Sequence, residues 1–183
     1  MTEDRARFLG KYRGQVTDTD DPLMLGRLRA TVSDVFGDEP CGWALPCFPF
    51  AGPGVGLFTV PPVGAWVWVE FEYGDPAKPI WTGCFFPDDP AAATATVAQL
   101  VPLTGVGPNE LVLKTTEWLV TIASGKLSIA SLAGPVPRTR LELTASGVKL
   151  TDEQAPNTPS PPSATIELSG PTVRINGSAL EVT

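Results

Sequence analysis

Apolar and polar residues alternate along most of this chain, and they do so in short bursts. In the first half the bursts are KYRGQVTDT, LGRLRATV, WALPCFPF, AWVWVEFEY and IWTGCFF. The clearest is Ala65–Tyr73, where Trp66, Trp68, Glu70 and Glu72 alternate with Val67, Val69, Phe71 and Tyr73. Period two is the signature of a strand with one face turned inward. Turn residues separate the bursts: Asp20-Asp21-Pro22, the acidic GDEP, the glycine-rich AGPGVGLFTVPPVG and GDPAKP. About five strands over roughly 75 residues, with no convincing helix, suit a small closed barrel such as the OB-fold.

The second half repeats the pattern in a shorter unit. Leu111 and Leu113 form one burst, then Trp118, Val120 and Ile122, then Leu127 and Ile129. Leu141 and Leu143, Val148 and Leu150, Ile166 and Leu168, Val173 and Ile175, and Leu180 and Val182 follow. Ser124-Gly125, Gly134-Pro135, Ser146-Gly147, Ser169-Gly170-Pro171 and Asn176-Gly177 mark the turns. The unit is a short strand, a glycine-containing turn and another short strand. Such strands cannot bury their own apolar faces, and exposed sheet edges invite pairing. The strip could fold back on the barrel, wind into a single-chain solenoid, or pack against identical copies about an axis. Uneven spacing disfavours a solenoid, which needs a regular coil. A prism of three chains would give the apolar residues a shared dry core. A plain second sheet remains the alternative.

Four segments are expected: a polar leader at 1–10, the barrel at 11–86, an Ala/Thr/Pro-rich linker at 87–110 and the strand series at 111–183. A polar, proline-rich loop at 152–163 interrupts the last of these. Twenty prolines and 18 glycines among 183 residues reinforce the all-β reading. The net charge of −7 disfavours a phosphate-backbone partner. No apolar run reaches the length of a spanning helix, and the charged N-terminus lacks the apolar stretch of a signal peptide. Synthesis in the cytosol is expected.

Candidate chemistry is sparse. The chain has no histidine, which excludes a histidine-based triad. Cys41, Cys47 and Cys84 lack metal-ligand spacing and read as small buried hydrophobes. The acidic pairs Asp20-Asp21, Asp88-Asp89 and Asp152-Glu153 read as solvated loop charge. GPGVG lacks the lysine and the helix of a phosphate loop. Arg5, Arg7, Lys11, Arg13, Arg27 and Arg29 are the main early cations. They could line a groove for single strands or face an acidic partner. No enzyme activity, cofactor or metal is expected.

The first half resembles the OB-fold domain of phage baseplate assembly protein V, a family of central spikes in contractile phage tails, injection systems and type VI secretion. Gly26-Arg27-Leu28-Arg29-Ala30-Thr31-Val32 resembles its early strand, and Trp43-Ala44 the start of its third. Gly54-Val55-Gly56-Leu57-Phe58 and Pro61-Pro62-Val63-Gly64 resemble a glycine–aromatic–proline–glycine stretch. Val67–Phe71 with Gly74-Asp75-Pro76 and Pro79, then Ile80-Trp81-Thr82-Gly83, resemble its closing strands. These residues are read as marks of the fold, with Trp66, Trp68 and Trp81 filling the barrel or an interface.

The resemblance implies an intertwined triple-stranded β-helix after the barrel, in a homotrimer. Leu141, Leu143, Val148, Leu150, Ile166, Leu168, Val173, Ile175, Leu180 and Val182 would form the trimer core. It further implies a phage virion or injection particle as the location, a hub protein at the barrel end and transient contact with a target envelope. There is no room for the lysozyme or hub domain that some members carry, and no His-x-His iron site. The expected tip, Glu181-Val182-Thr183, would dock a separate proline-alanine-alanine-arginine (PAAR) repeat protein. The competing expectation is a free OB module binding single-stranded nucleic acid or carbohydrate.

Overall fold

The computed structural model describes residues 7–88, 108–132, 139–152, 164–177 and 180–182. The chain divides into two units, Met1–Ala93 and Thr94–Thr183.

Unit 1 is built on β1 (Tyr12–Asp18), β2 (Arg29–Thr31), β3 (Leu45–Pro46), β6 (Trp66–Phe71) and β7 (Pro79–Phe85). They lie in the order β2-β1-β6-β7-β3. All neighbours are antiparallel except β3 and β7, which run parallel with Leu45 opposite Ile80. An antiparallel bridge between Leu28 and Ala44 joins the β2 segment to the β3 segment and closes the ring. A five-stranded closed barrel with that order is the OB topology. A small hairpin, β4 (Ala51–Gly52) and β5 (Val55–Gly56), stands in the β3–β6 connection.

The barrel interior follows from the alternation. In β6, Val67, Val69 and Phe71 are buried while Trp66, Trp68 and Glu70 are half-buried on the other face. Val16, Leu28, Ala30, Val32, Cys41, Ala44 and Trp81 complete the core. Its indole donates from Nε1 to the Gly26 carbonyl at 3.1 Å, which satisfies the buried N–H. Trp66 and Trp68 lie outside. Trp68 stacks on Phe85 at 4.4 Å, and the Arg13 guanidinium sits 5.5 Å from the Phe85 centroid.

Several sequence expectations shift. The strand expected to reach Tyr73 ends at Phe71, because Glu72–Gly74 turns in a 3-10 helix with Tyr73 at φ 55°. A short helix, α1 (Ser33–Phe36), occupies the β2–β3 connection. The end of the leader is no loose polar arm. Phe8 donates its amide to the Gly74 carbonyl at 3.0 Å, and its ring packs against Tyr12 and Phe71. Only Cys41 is buried; Cys47 and Cys84 are exposed, so the reading of all three as buried hydrophobes is corrected.

Unit 2 is one antiparallel meander: β8 (Leu111–Lys114), β9 (Trp118–Ala123), β10 (Lys126–Ser131), β11 (Thr139–Thr144), β12 (Gly147–Asp152), β13 (Ala164–Ser169), β14 (Thr172–Ile175) and β15 (Leu180–Val182). Each strand pairs only with its neighbours in sequence, giving the order β8 to β15. Short loops enforce this except at β10–β11 and β12–β13, whose connections span 132–138 and 153–163. Between β9 and β10, Ser124 and Gly125 sit at φ 51° and 73°, the two left-handed positions of a hairpin turn whose twist matches the strands. The linker from 89 to 107 and the proline-rich loop from 153 to 163 lie outside the described residues.

Candidate assembly surface

The register of unit 2 decides which side chains share a face. Leu111 and Leu113 stand opposite Ile122 and Val120. These stand opposite Leu127 and Ile129, and Trp118 opposite Ser131. Leu143 and Leu141 follow on β11, then Val148 and Leu150 on β12. Leu168 and Ile166, Val173 and Ile175, then positions 182 and 180 extend the rows to β15. Every proposed core residue therefore occupies one face of one sheet, and the sheet adds the β8, β9 and β10 residues that the proposed core omitted. The signal for them was present, since they repeat the same period two.

The described residues of this face are half-buried or exposed, and none is buried. Ile122 is 49 % exposed, Leu150 42 % and Ile166 41 %. The buried positions in unit 2, Ser128 and Ala130, point to the opposite face. Eight strands at about 4.8 Å spacing make an apolar wall roughly 34 Å across. Monomeric proteins rarely leave an apolar patch of that extent in water.

From β11 to β15 the other face is polar and ordered by charge, while on β8 to β10 it also carries Val112, Leu119 and the buried Ala130. Glu142 stands opposite Lys149, Lys149 opposite Glu167, Glu167 opposite Arg174, and Arg174 opposite position 181. Lys126 donates to Glu142 at 2.8 Å, and Arg140 lies 3.9 Å from the same carboxylate. Those cations hold the Glu142 carboxyl below its ordinary range, the hydrogen bond from Lys126 contributing most. The Glu181 and Val182 register positions lie on β15, at one end of the sheet order. Thr183 is outside the described residues.

In unit 1 the signature residues are placed as turn and packing elements. Gly26 sits at φ 78°, and a Cβ there would meet the rings of Phe48 and Phe58 at 3.1 Å. The Arg27 guanidinium lies 5.5 Å from the Trp43 ring. Gly56 lies in β5 and Gly83 in β7. Phe58 packs on Phe48 at 5.3 Å. The Pro62 carbonyl accepts from Ala65 at 3.0 Å, and Gly64 donates to Val16 at 2.8 Å. Asp75 caps its own turn by accepting from Ala77 at 3.0 Å, Pro76 follows it, and Pro79 opens β7.

Asp21 corrects the sequence reading. It is not solvated loop charge: its side chain is 5 % exposed and ion-paired with Arg27, whose Nε donates at 2.9 Å. The carboxylate also accepts the amides of Leu23, Leu25 and Arg27 at 3.0, 2.7 and 3.2 Å. The Arg27 bond, helped by these amides, holds it far below the usual carboxylate range. Asp88 makes a two-pronged pair with Arg13 at 2.8 and 3.0 Å, and Lys11 pairs with Glu70. Arg29 donates to the Cys41 carbonyl at 3.2 Å. Lys11, Arg13, Arg27 and Arg29 are thus directed to acceptors within the unit. That weighs against a basic groove for single strands. Arg5 and Asp89 lie outside the described residues.

Residues 12–86 match the family model of the Type VI secretion system/phage-baseplate injector OB domain. The match spans the barrel and supports a structural role in a baseplate or injector. No curated protein sequence matches the chain.

Proposed function

We propose that three copies of this chain form the central spike of a contractile phage tail or injection system. The barrels make a collar that docks on a hub below the inner tube. The meanders are three walls of a needle, with their apolar faces turned to a common axis. Contraction by other proteins drives the needle through the target envelope, and a PAAR-type tip protein docks at the Glu181–Thr183 end. The observation that carries this reading is the apolar face of β8 to β15: continuous in register and without a buried member among the described residues. The barrel's family match supports the setting.

Each half-exposed Leu, Ile or Val on that face has about 1–2 kcal/mol still to gain from full burial. Threefold closure covers the same strip on every chain and leaves no new edge along the wall. The charged row of β11 to β15 on the opposite face is suited to water.

Light scattering with an unboiled denaturing gel tests the reading. A mass three times 19.3 kDa, about 58 kDa, that resists detergent until heated is the expected result. A clean monomer overturns it and makes nucleic-acid and glycan binding the next assays.

A further inference from the structure

The β1–β2 connection carries three large aliphatic residues, Leu23, Met24 and Leu25, all more than half exposed, with Met24 at 86 %. An exposed apolar loop is ordinarily loose. This one is held from beneath by the Asp21 carboxylate, which takes three of its amides and the Arg27 guanidinium. Met24 also donates its amide to the Asp21 carbonyl at 3.0 Å and sits at φ 52°, where a side chain is unfavourable. Fixing an apolar tip gives nothing to a solvated loop. It favours a contact, because the ordering cost is met before binding.

Beside this knob lies an open groove of about 440 Å³, lined by Thr19, Met24, Phe58, Val60, Pro61 and Pro62. Phe50, Val55, Leu57, Phe58 and Val63 extend the surface, each more than half exposed. At roughly 100 Å² each, the eight exposed side chains present about 800 Å²; in a ring, one copy's knob and the next copy's groove bury that total at each contact, half a standard interface, so the contact supplements the tail and does not hold the chains alone. The register fixes the location. Gln15 stands opposite Trp66 and Trp66 opposite Phe85, so the end of β1, the start of β6 and the end of β7 lie together. Knob, groove and the chain's exit from the barrel therefore share one end.

We propose that this end is a barrel–barrel contact within the collar, the Leu23–Leu25 knob of one copy seating in the Phe58–Pro62 groove of the next. This rests on the three-chain reading above. A second copy is favoured because knob and groove share one chemistry and lie side by side on the same barrel. A heterologous contact that closes around an axis uses both surfaces on every copy, each giving one and receiving the other. Asp21, the charged residue at the groove, is already neutralised by Arg27, so closure strands no free charge.

The test replaces Met24 with a photo-crosslinking residue, Met24→p-benzoylphenylalanine, in the full chain. Irradiation is expected to give denatured bands at two and three chain masses, with Met24 linked to a peptide containing Phe58–Pro62. Adding Val60→Asp should cut those bands at least tenfold while light scattering still reads three chains. Only intrachain linkage in a preparation that scatters as three chains overturns the contact and leaves the spike reading standing. Linkage in assembled particles to a different protein assigns the groove to that protein and also overturns it. A monomer mass sinks the spike reading itself and this contact with it.

Discussion

Ile166 is the sharpest place to test the apolar wall. It lies in β13 with Leu150 opposite on one side and Ile175 on the other, and 41 % of it is exposed in the single chain. Covering that remainder, roughly 75 Å², is worth about 2 kcal/mol per chain and about 6 kcal/mol for three. Ile166→Asp removes this gain and gathers three carboxylates at one level of the axis, each costing several kcal/mol to desolvate. The total exceeds about 15 kcal/mol, and about 1.4 kcal/mol is a tenfold change in association. No accessible protein concentration restores that loss. Val173→Asp and Ile175→Asp act by the same route. Light scattering on purified variants is the assay, with circular dichroism to confirm that the barrel remains folded. Glu167→Ala, one residue along and on the opposite face, is the control; its half-buried side chain pairs only at the sheet surface, and such a pair is worth about 1 kcal/mol or less. A three-chain mass for Ile166→Asp would refute the inward placement of the face. Loss of assembly by Glu167→Ala would refute the assignment of the two faces.

Gly147 at φ 153° opens β12, and a Cβ there would lie 1.9 Å from the Leu168 carbonyl oxygen. Gly147→Ala should cost at least about 1–3 kcal/mol; hydrogen exchange should show lost protection confined to β12 and β13. Trp81→Phe keeps the ring in the barrel but leaves the Gly26 carbonyl without its 3.1 Å donor, so the barrel should lose about 1–3 kcal/mol of stability and melt at a lower temperature. The Asp21 carboxyl is depressed from its ordinary 3.8 by Arg27. A depressed carboxyl stabilises fully above its unfolded value and loses that contribution as pH falls through the native one. Asp21→Asn should therefore lower the melting temperature at neutral pH, with the gap to the parent narrowing only below about pH 4; a gap that opens on acidification would contradict the pairing.

The barrel was legible because β-strand alternation and turn residues are local signals. Val67, Val69 and Phe71 announce their side of β6 by spacing alone. What spacing could not resolve was the neighbourhood. The sequence left Trp66 and Trp68 between the barrel and an interface; parity places them outside the barrel, against Phe85 and Arg13. Asp21 read as loop charge because its partner, Arg27, lies six residues on across a turn that composition does not reveal. The same limit applied to β8–β10. Their period was visible, but their membership of one continuous face depends on hairpin register, which each turn sets.

Two patterns in unit 2 guard against different errors. A one-residue slip between strands would send every apolar side chain of one strand to the polar face. A two-residue slip would leave the apolar face intact, so the apolar pattern alone cannot reject it. The charged row can. In the observed register Lys149 stands opposite Glu167, whereas a two-residue slip sets Lys149 against Thr165 or Ser169. The same shift sets Glu142 against Gly147 or Thr151. Each exposed pair contributes only about 0.2–1 kcal/mol, far too little to hold chains together. Summed along the row, it is enough to choose among registers that burial treats alike. The choice is made within the chain, most of all between β12 and β13, whose connection at 153–163 is too long to fix the register by itself. In the proposed spike, a wall whose apolar rows are already aligned would meet identical walls with each residue at a defined height along the axis, and the needle's stiffness would depend on this.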